Sequence, residues 1–243
     1  MGLYYNGKKV RNLYYNGKCL TRLALGKEMT RLVEGDDFVR AEWLVGDGAA
    51  YMQISQTSRT DFNINLTYKL SNVYKQMLYG SFYSTSGGWK GNMLTWGETN
   101  GIADKILLRI STSNGNNYIN LGAQNVDVVH TIKVVDGRCY FDDVDKGVCP
   151  GYSIYNYDKP FLLFNGYNVN TITESNASNA SISKFSIDGY CNLIPCRLLR
   201  PIPATLDGNG IARNAGECGM YNSVNGLFYG NVNNSGNFTV SDD

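Results

Sequence analysis

The chain has 243 residues, 43% hydrophobic and 18% charged, with a formal net charge of +1. That balance fits one large all-β domain or two small domains, and it excludes a disordered chain, which would be poor in apolar residues and high in net charge. The near-neutral total gives no reason to expect nucleic acid. No stretch approaches the ~20 consecutive apolar residues of a membrane-spanning helix, so no membrane contact is expected.

The polar part is dominated by 28 Asn and 27 Gly. Both residue types tolerate positive φ, which tight turns need. The 18 Tyr suit pleated, half-buried surfaces. Charge is unevenly placed. Residues 1–33 hold seven basic residues and one acid, a net +6, which leaves −5 for residues 34–243. A basic leader on an acidic body suggests docking onto a negative surface. The alternative is an edge strand protected by its charge.

In chain order, the first feature is a repeat: LYYNGKK at residues 3–9 and LYYNGKC at 13–19, with a decayed copy near Leu23–Lys27. Asn6-Gly7 and Asn16-Gly17 are favoured pairs for two-residue type I′ turns. Tyr4, Tyr5, Lys8 and Lys9, then Tyr14, Tyr15 and Lys18, supply the flanking strands. Each unit reads as a small hairpin. An isolated hairpin is marginal in water, so these residues are the expected anchoring segment, gaining order on the body, a sister subunit or a larger assembly. The opening residues have no apolar core of a secretory signal, so the chain is expected to be made in the cytoplasm and to leave it without one. A weak helical or linker stretch follows near Glu28–Glu34.

The body, residues 34–243, then reads as strands at regular spacing. Phe38–Val45 and Ala49–Ser55 flank a Gly46-Asp47-Gly48 turn. Phe62–Leu70 alternates apolar and polar residues with period two. Gln76–Ser84, Met93–Gly97, Lys105–Ser111, Tyr118–Leu121, Val126–Val135 and Arg138–Asp142 follow. Phe161–Phe164, Ala180–Asp188, Gly219–Tyr221 and Leu227–Tyr229 complete the set. Many short strands separated by turn residues predict a sandwich or jelly roll.

Little in the sequence points to catalysis. The single histidine, His130, lies in an apolar run and reads as structural. No nucleophile elbow or phosphate loop occurs. The carboxylates Glu98, Asp104, Glu174 and Asp188 are scattered, so no catalytic residue is assigned. No cofactor is expected. Asp142, Asp143 and Asp145 form the densest acidic cluster; they are a weak calcium candidate or, more simply, a polar hairpin tip. Trp89, Trp96, Tyr83 and Asn92 belong to a loop-rich stretch around Ser84–Asn100 and are the candidate glycan-binding residues, the alternative being buried packing. Trp43 reads as core. The six cysteines show no CxxC pair and are read as free, mostly buried thiols rather than a disulfide framework.

The C-terminal third carries Phe161-Leu162-Leu163-Phe164-Asn165, Ser183-Lys184-Phe185-Ser186-Ile187, Leu193-Ile194-Pro195-Cys196-Arg197 and Cys218-Gly219-Met220-Tyr221-Asn222. Gly226-Leu227-Phe228-Tyr229-Gly230-Asn231 and Gly236-Asn237-Phe238-Thr239 follow. In this order the segments resemble a concanavalin A/laminin-G-like jelly roll found in gut bacteria and their phages. Ala41–Ser55 resembles its opening strand pair and Val134–Asp143 its Asp-Gly hairpin. The YYNGKKV repeat is similar to the preface that such phage proteins carry. Asn222 stands where the family has Asp, residues 198–217 are an insertion, and Asp142-Asp143 replaces the family's Asp-Gly tip.

The resemblance implies an all-β, lectin-like β-sandwich behind a short N-terminal hairpin repeat. It also implies a non-enzymatic virion protein of crAss-like bacteriophages, a head fibre or capsid decoration assembled in the host cytoplasm. Its expected partners are capsid or other virion proteins, further copies of itself as a dimer or trimer, and a host surface glycan. The alternative is a tail-fibre adhesin recognising capsular carbohydrate.

Overall fold

The computed structural model describes residues 4–5, 8–9, 13–15, 18–20, 32–55, 57–71, 76–85, 88–96, 105–111, 117–123, 125–156, 159–168, 173–175, 178–233 and 236–242. The chain forms two compact units, Met1–Thr30 and Arg31–Asp243. In the first, β1 (Tyr4–Tyr5) pairs antiparallel with β2 (Lys8–Lys9), and β3 (Leu13–Tyr15) with β4 (Lys18–Leu20). The two expected hairpin pairings are therefore formed. The turn residues Asn6, Gly7, Asn16 and Gly17 lie outside the described residues, as do the decayed third copy and residues 28–31 of the proposed linker.

The second unit runs through β5 (Phe38–Arg40), β6 (Trp43–Val45), β7 (Met52–Ser55), β8 (Ile64–Lys69), β9 (Gln76–Thr85), β10 (Gly88–Trp96), β11 (Lys105–Ser111) and β12 (Ile119–Ala123). It continues with β13 (His130–Val135), β14 (Arg138–Phe141), β15 (Val144–Val148), β16 (Phe161–Leu163), β17 (Gly166–Asn168) and β18 (Thr173–Ser175). The last strands are β19 (Ser181–Ile187), β20 (Cys191–Leu198), β21 (Cys218–Asn222), β22 (Phe228–Gly230) and β23 (Thr239–Ser241). Among the described residues the only helix is a single 3-10 turn, Ala204–Leu206.

These strands form two sheets. One follows β12-β11-β10-β9-β16-β7, with β17 and β18 beside it; the other follows β15-β14-β13-β8-β19-β20-β21-β22, joined by β5, β6 and β23. The expected all-β sandwich is formed. Alternation explains the inner faces. On β8, Ile64, Leu66 and Tyr68 are buried, while Asn65, Thr67 and Lys69 are partly exposed. The main core gathers residues from both sheets, including Leu66, Tyr79, Leu108, Ile132, Phe161, Phe185 and Leu193. Trp43 is buried, as expected, with the Lys69 ammonium 4.6 Å from its ring.

Two strand readings need correction. Phe38–Val45 is two strands, because β5 pairs with β20 whereas β6 pairs with β19 and β23. The Gly46-Asp47-Gly48 segment does not close a hairpin: β6 and β7 belong to different sheets, so it is a crossover. Asp47 fastens that crossover by accepting the Ala49, Ala50 and Asn237 backbone N–H groups.

A second apolar cluster packs Leu32, Phe38, Cys196, Leu198, Ile202, Leu206, Tyr221 and Phe228. Tyr221 pairs with Phe228 across β21 and β22, whereas their neighbours Met220 and Tyr229 pair on the face that joins the main core. The inserted segment 198–217 thus covers the outer face of the β20–β22 end of the sheet. A buried ion pair pins it, with Arg213 Nε donating to Asp207 Oδ2 at 2.8 Å and Nη1 to the Asn231 carbonyl at 2.6 Å. Pro195, which has no N–H, sits where β20 changes neighbour from β19 to β5, and its carbonyl accepts Ala41 N–H.

Candidate functional site

The insertion covers one half of the outer face. On the other half, the strand register sets polar side chains in rows across β13, β8 and β19. Lys133 is opposite Asn65, Asn65 opposite Ser186, and Ser186 opposite Asn192. Two residues further along β8, Thr67 lies between Thr131 and Lys184. Asn192 Nδ2 donates to Ser223 Oγ at 3.0 Å, closing the row at the β21–β22 turn. An open groove of about 380 Å³ runs over this surface, lined by Asn63, Asn65, Lys133, Lys184, Ser186, Asp188, Asn192 and Val224.

Asn63 organises one end of the groove. Its Oδ1 accepts Asp136 N–H at 3.0 Å and its carbonyl accepts Asp188 N–H at 3.0 Å, which ties two hairpin turns together. A second hollow of about 230 Å³ continues from there, sharing Asn63, Ile187 and Asp188 and bounded by Arg59, Asp61 and Phe62. Arg59 makes a two-pronged pair with Asp61, Nε to Oδ1 at 2.8 Å and Nη2 to Oδ2 at 2.5 Å. That hydrogen-bonded guanidinium is the largest influence on the Asp61 carboxyl and holds its pKa below the usual value, against a smaller opposing effect of burial.

An aromatic ledge stands beside this junction. Tyr190 follows Asp188-Gly189 in the β19–β20 turn, is 43% exposed, and lies 6.3 Å from Phe62, which packs edge-on against core Phe161 at 5.6 Å. The loop carrying exposed Ile154 and Tyr155 is fastened to the same end, with Thr60 N–H donating to the Tyr155 carbonyl and Tyr155 N–H to Thr60 Oγ1. Amide, hydroxyl and ammonium groups beside an exposed, backed aromatic ring can hydrogen-bond and stack a polar, ring-bearing ligand.

The residues singled out from sequence fall elsewhere. The Ser84–Asn100 stretch is largely not loop: β9 and β10 pair as a long hairpin that carries Tyr83, Trp89, Asn92 and Trp96. Asn92 is fully buried and its Nδ2 donates to the Arg59 carbonyl at 2.6 Å, so it holds the 59–61 segment and offers nothing to a glycan. The side chains of Tyr83, Trp89 and Trp96 lie outside the described residues.

The acidic cluster is a hairpin tip. Asp142 and Asp143 both take positive φ, 49° and 63°, in the β14–β15 turn. Asp142 accepts Thr131 N–H at 2.8 Å and His130 Nδ1 at 2.7 Å, while Asp145 pairs with Arg138 at 2.7 Å and accepts Gly147 N–H. With two of the three carboxylates so committed, the weak calcium reading is set aside. Among the described residues no group of three or more His, Cys, Asp or Glu is arranged to hold a metal. His130 is a packed residue, stacked on Phe141 at a centroid distance of 5.0 Å. Cys139, Cys149, Cys191 and Cys196 are free and buried, and Cys218 is free and partly exposed.

The groove is not legible in the sequence because its residues come from strands distant in the chain and are ordinary polar positions on each. The outward set of the Phe62–Leu70 alternation, Asn63, Asn65, Thr67 and Lys69, was the available signal.

No family model matches the chain, and no curated protein matches it. Among solved structures, it is similar to the native heptameric SAP-like pentraxin from Limulus polyphemus, at 12% identity and a TM-score of 0.38, over 64% of this chain and 77% of that one. It is also similar to domains LG4-5 of the mouse laminin alpha1 chain, at 11% identity and a TM-score of 0.40, over 84% of this chain and 52% of that one. The chain thus spans about half of the laminin structure. The fold assignment rests on the strand order and two-sheet packing described above.

Proposed function

We propose that this chain is a non-enzymatic surface protein of a bacteriophage particle, a head fibre or capsid decoration that carries a carbohydrate-binding sandwich. The observation that carries the binding part is the groove: a row of Asn65, Ser186 and Asn192 on an uncovered sheet face, with exposed Tyr190 in the β19–β20 turn whose Asp188 and Gly189 line it. The virion part is supported by the order of sequence motifs in the C-terminal third and by the YYNGK duplication, whose strands pair as two hairpins. In this reading the basic segment 1–33 seats the protein on virion partners, copies associate as a dimer or trimer, and the body faces outward.

The binding part is tested by screening full-length protein against immobilised glycans. Tyr190→Ala and Asn65→Ala should each weaken binding about ten-fold. Unchanged binding in both variants would remove the groove from the account. The virion part is tested by electron microscopy of whole particles, which would place the density on the head. Density on the tail would favour the adhesin alternative, which the groove suits equally, and absence from the particle would end both.

A further inference from the structure

We infer that the ligand of this groove is an extended anionic glycan, bearing carboxylate or sulfate groups at intervals, that is held by Lys133 and Lys184. The inference rests on the carbohydrate-binding reading above and names the class of sugar.

Both lysines project from the uncovered face and line the groove. They come from the two strands that flank β8, opposite Asn65 and Thr67 respectively. Two interstrand spacings and a two-residue offset put their Cα atoms about 12 Å apart along a diagonal. Between them lie only neutral donors and acceptors, Asn65 and Thr67. Among the described residues neither ammonium has a carboxylate within ion-pairing distance, whereas Arg40, Arg59, Arg138, Arg200 and Arg213 all do. What sets these two apart is their place: both stand in one groove without a carboxylate partner, on a body of net charge −5, and so offer a local positive site to an anion.

The spacing selects the partner. Side chains on a strand stand roughly perpendicular to the sheet, which holds the two ammonium groups apart and favours a chain with repeating acidic sugars over a single small anion. The Asn65–Ser186–Asn192 row would meet its hydroxyls and Tyr190 would meet a ring face. Asp188, the one acid among the described residues lining the groove, sits at the Asn63 end and disfavours a continuous polyphosphate, whose charges are denser than two lysines can match.

The experiment measures binding of the full-length protein to polygalacturonate, chondroitin sulfate, neutral dextran, monomeric galacturonate and a single-stranded oligonucleotide. The acidic polysaccharides should bind, and more weakly at high salt. Lys133→Gln and Lys184→Gln should each lower affinity about three- to five-fold. The double variant should fall further and lose most of the salt dependence, while Lys→Arg at both positions retains binding. All variants should melt like the parent, since both side chains are exposed. The inference fails if the double Gln variant binds the acidic chains like the parent, if monomeric galacturonate binds as well as the polymer, or if the oligonucleotide binds equally well with the same lysine dependence. Binding of dextran alone, indifferent to both lysines, would overturn the inference and leave the carbohydrate reading standing. Binding to no glycan here or in the wider screen would remove both.

Discussion

Arg213 and Asp207 show what one buried pair does for a loop. Both side chains are nearly inaccessible, and the guanidinium also reaches the Asn231 carbonyl. Removing one partner leaves an uncompensated charge under the insertion, so Asp207→Ala should cost about 3–5 kcal/mol in denaturant unfolding. Two carboxylates nearer the surface, Asp47 and Asp61, act more gently and with a defined pH dependence. For Asp47, burial raises the pKa, but the combined hydrogen bonds from Ala50, Asn237 and Ala49 outweigh it and bring the carboxyl below its ordinary value. Asp61 is likewise lowered, chiefly by Arg59. Both therefore contribute stability above about pH 4 that is lost as pH falls through their depressed values. An Asp47→Asn, Asp61→Asn double variant should show a shallower acid-side fall in melting temperature than the parent.

The cysteines extend the residue scale to reactivity. Burial pushes the Cys139 and Cys191 thiols up to about 12, so neither is a thiolate at neutral pH. In a Cys19→Ser background, an alkylating reagent should label native protein first at partly exposed Cys218. The other four should react only at the rate of unfolding, as peptide mapping would read out.

At the scale of elements, the turn between β13 and β14 fixes one wall of the cleft. Asp136 and Gly137 both have positive φ, 48° and 75°, the signature of a type I′ hairpin turn. A Cβ on Gly137 would stand 2.4 Å from the Tyr152 ring, so only glycine lets Tyr152 pack there. Gly137→Ala should therefore destabilise by about 1–3 kcal/mol and loosen the loop bearing Ile154 and Tyr155. Hydrogen exchange at Thr60 and Tyr155, whose amides hold that loop, would report it.

The same scale shows why some elements could be read from sequence and others could not. β8 was visible because one face is buried and the other is not, which writes a period of two. β15 has no buried residue, so no alternation marks it. Only the second half of β10 reads as strand, as Met93–Gly97, because Gly87, Gly88 and Gly91 are turn residues by type. In the structure Gly91 lies opposite Phe82, where a Cβ would come 2.4 Å from the Ser81 carbonyl, so this glycine marks close strand approach rather than a bend. The Phe38–Val45 split was hidden because strand partners are chosen by tertiary packing. The groove was hidden for a related reason: Lys133, Asn65 and Ser186 become neighbours only once the sheet order is known.

At the scale of the whole molecule, β20 is shared between two interiors. Cys191 and Leu193 enter the main core, whereas Cys196 and Leu198 enter the cluster beneath the insertion. A cavity on either side should therefore be felt on both. Phe185→Ala, next to Leu193 in register, should cost about 3–5 kcal/mol. It should lower protection of amides around Leu198 as much as those around Leu66. A body with separable layers would instead shed the insertion first, giving two transitions in a thermal scan.

That shared strand has a practical consequence outside a cell. A body whose covering segment cannot peel away before the rest melts presents proteases with no half-open form. Its lifetime in a digestive fluid would then be set by the rate of complete opening, and shaving the surface loops would leave the framework intact.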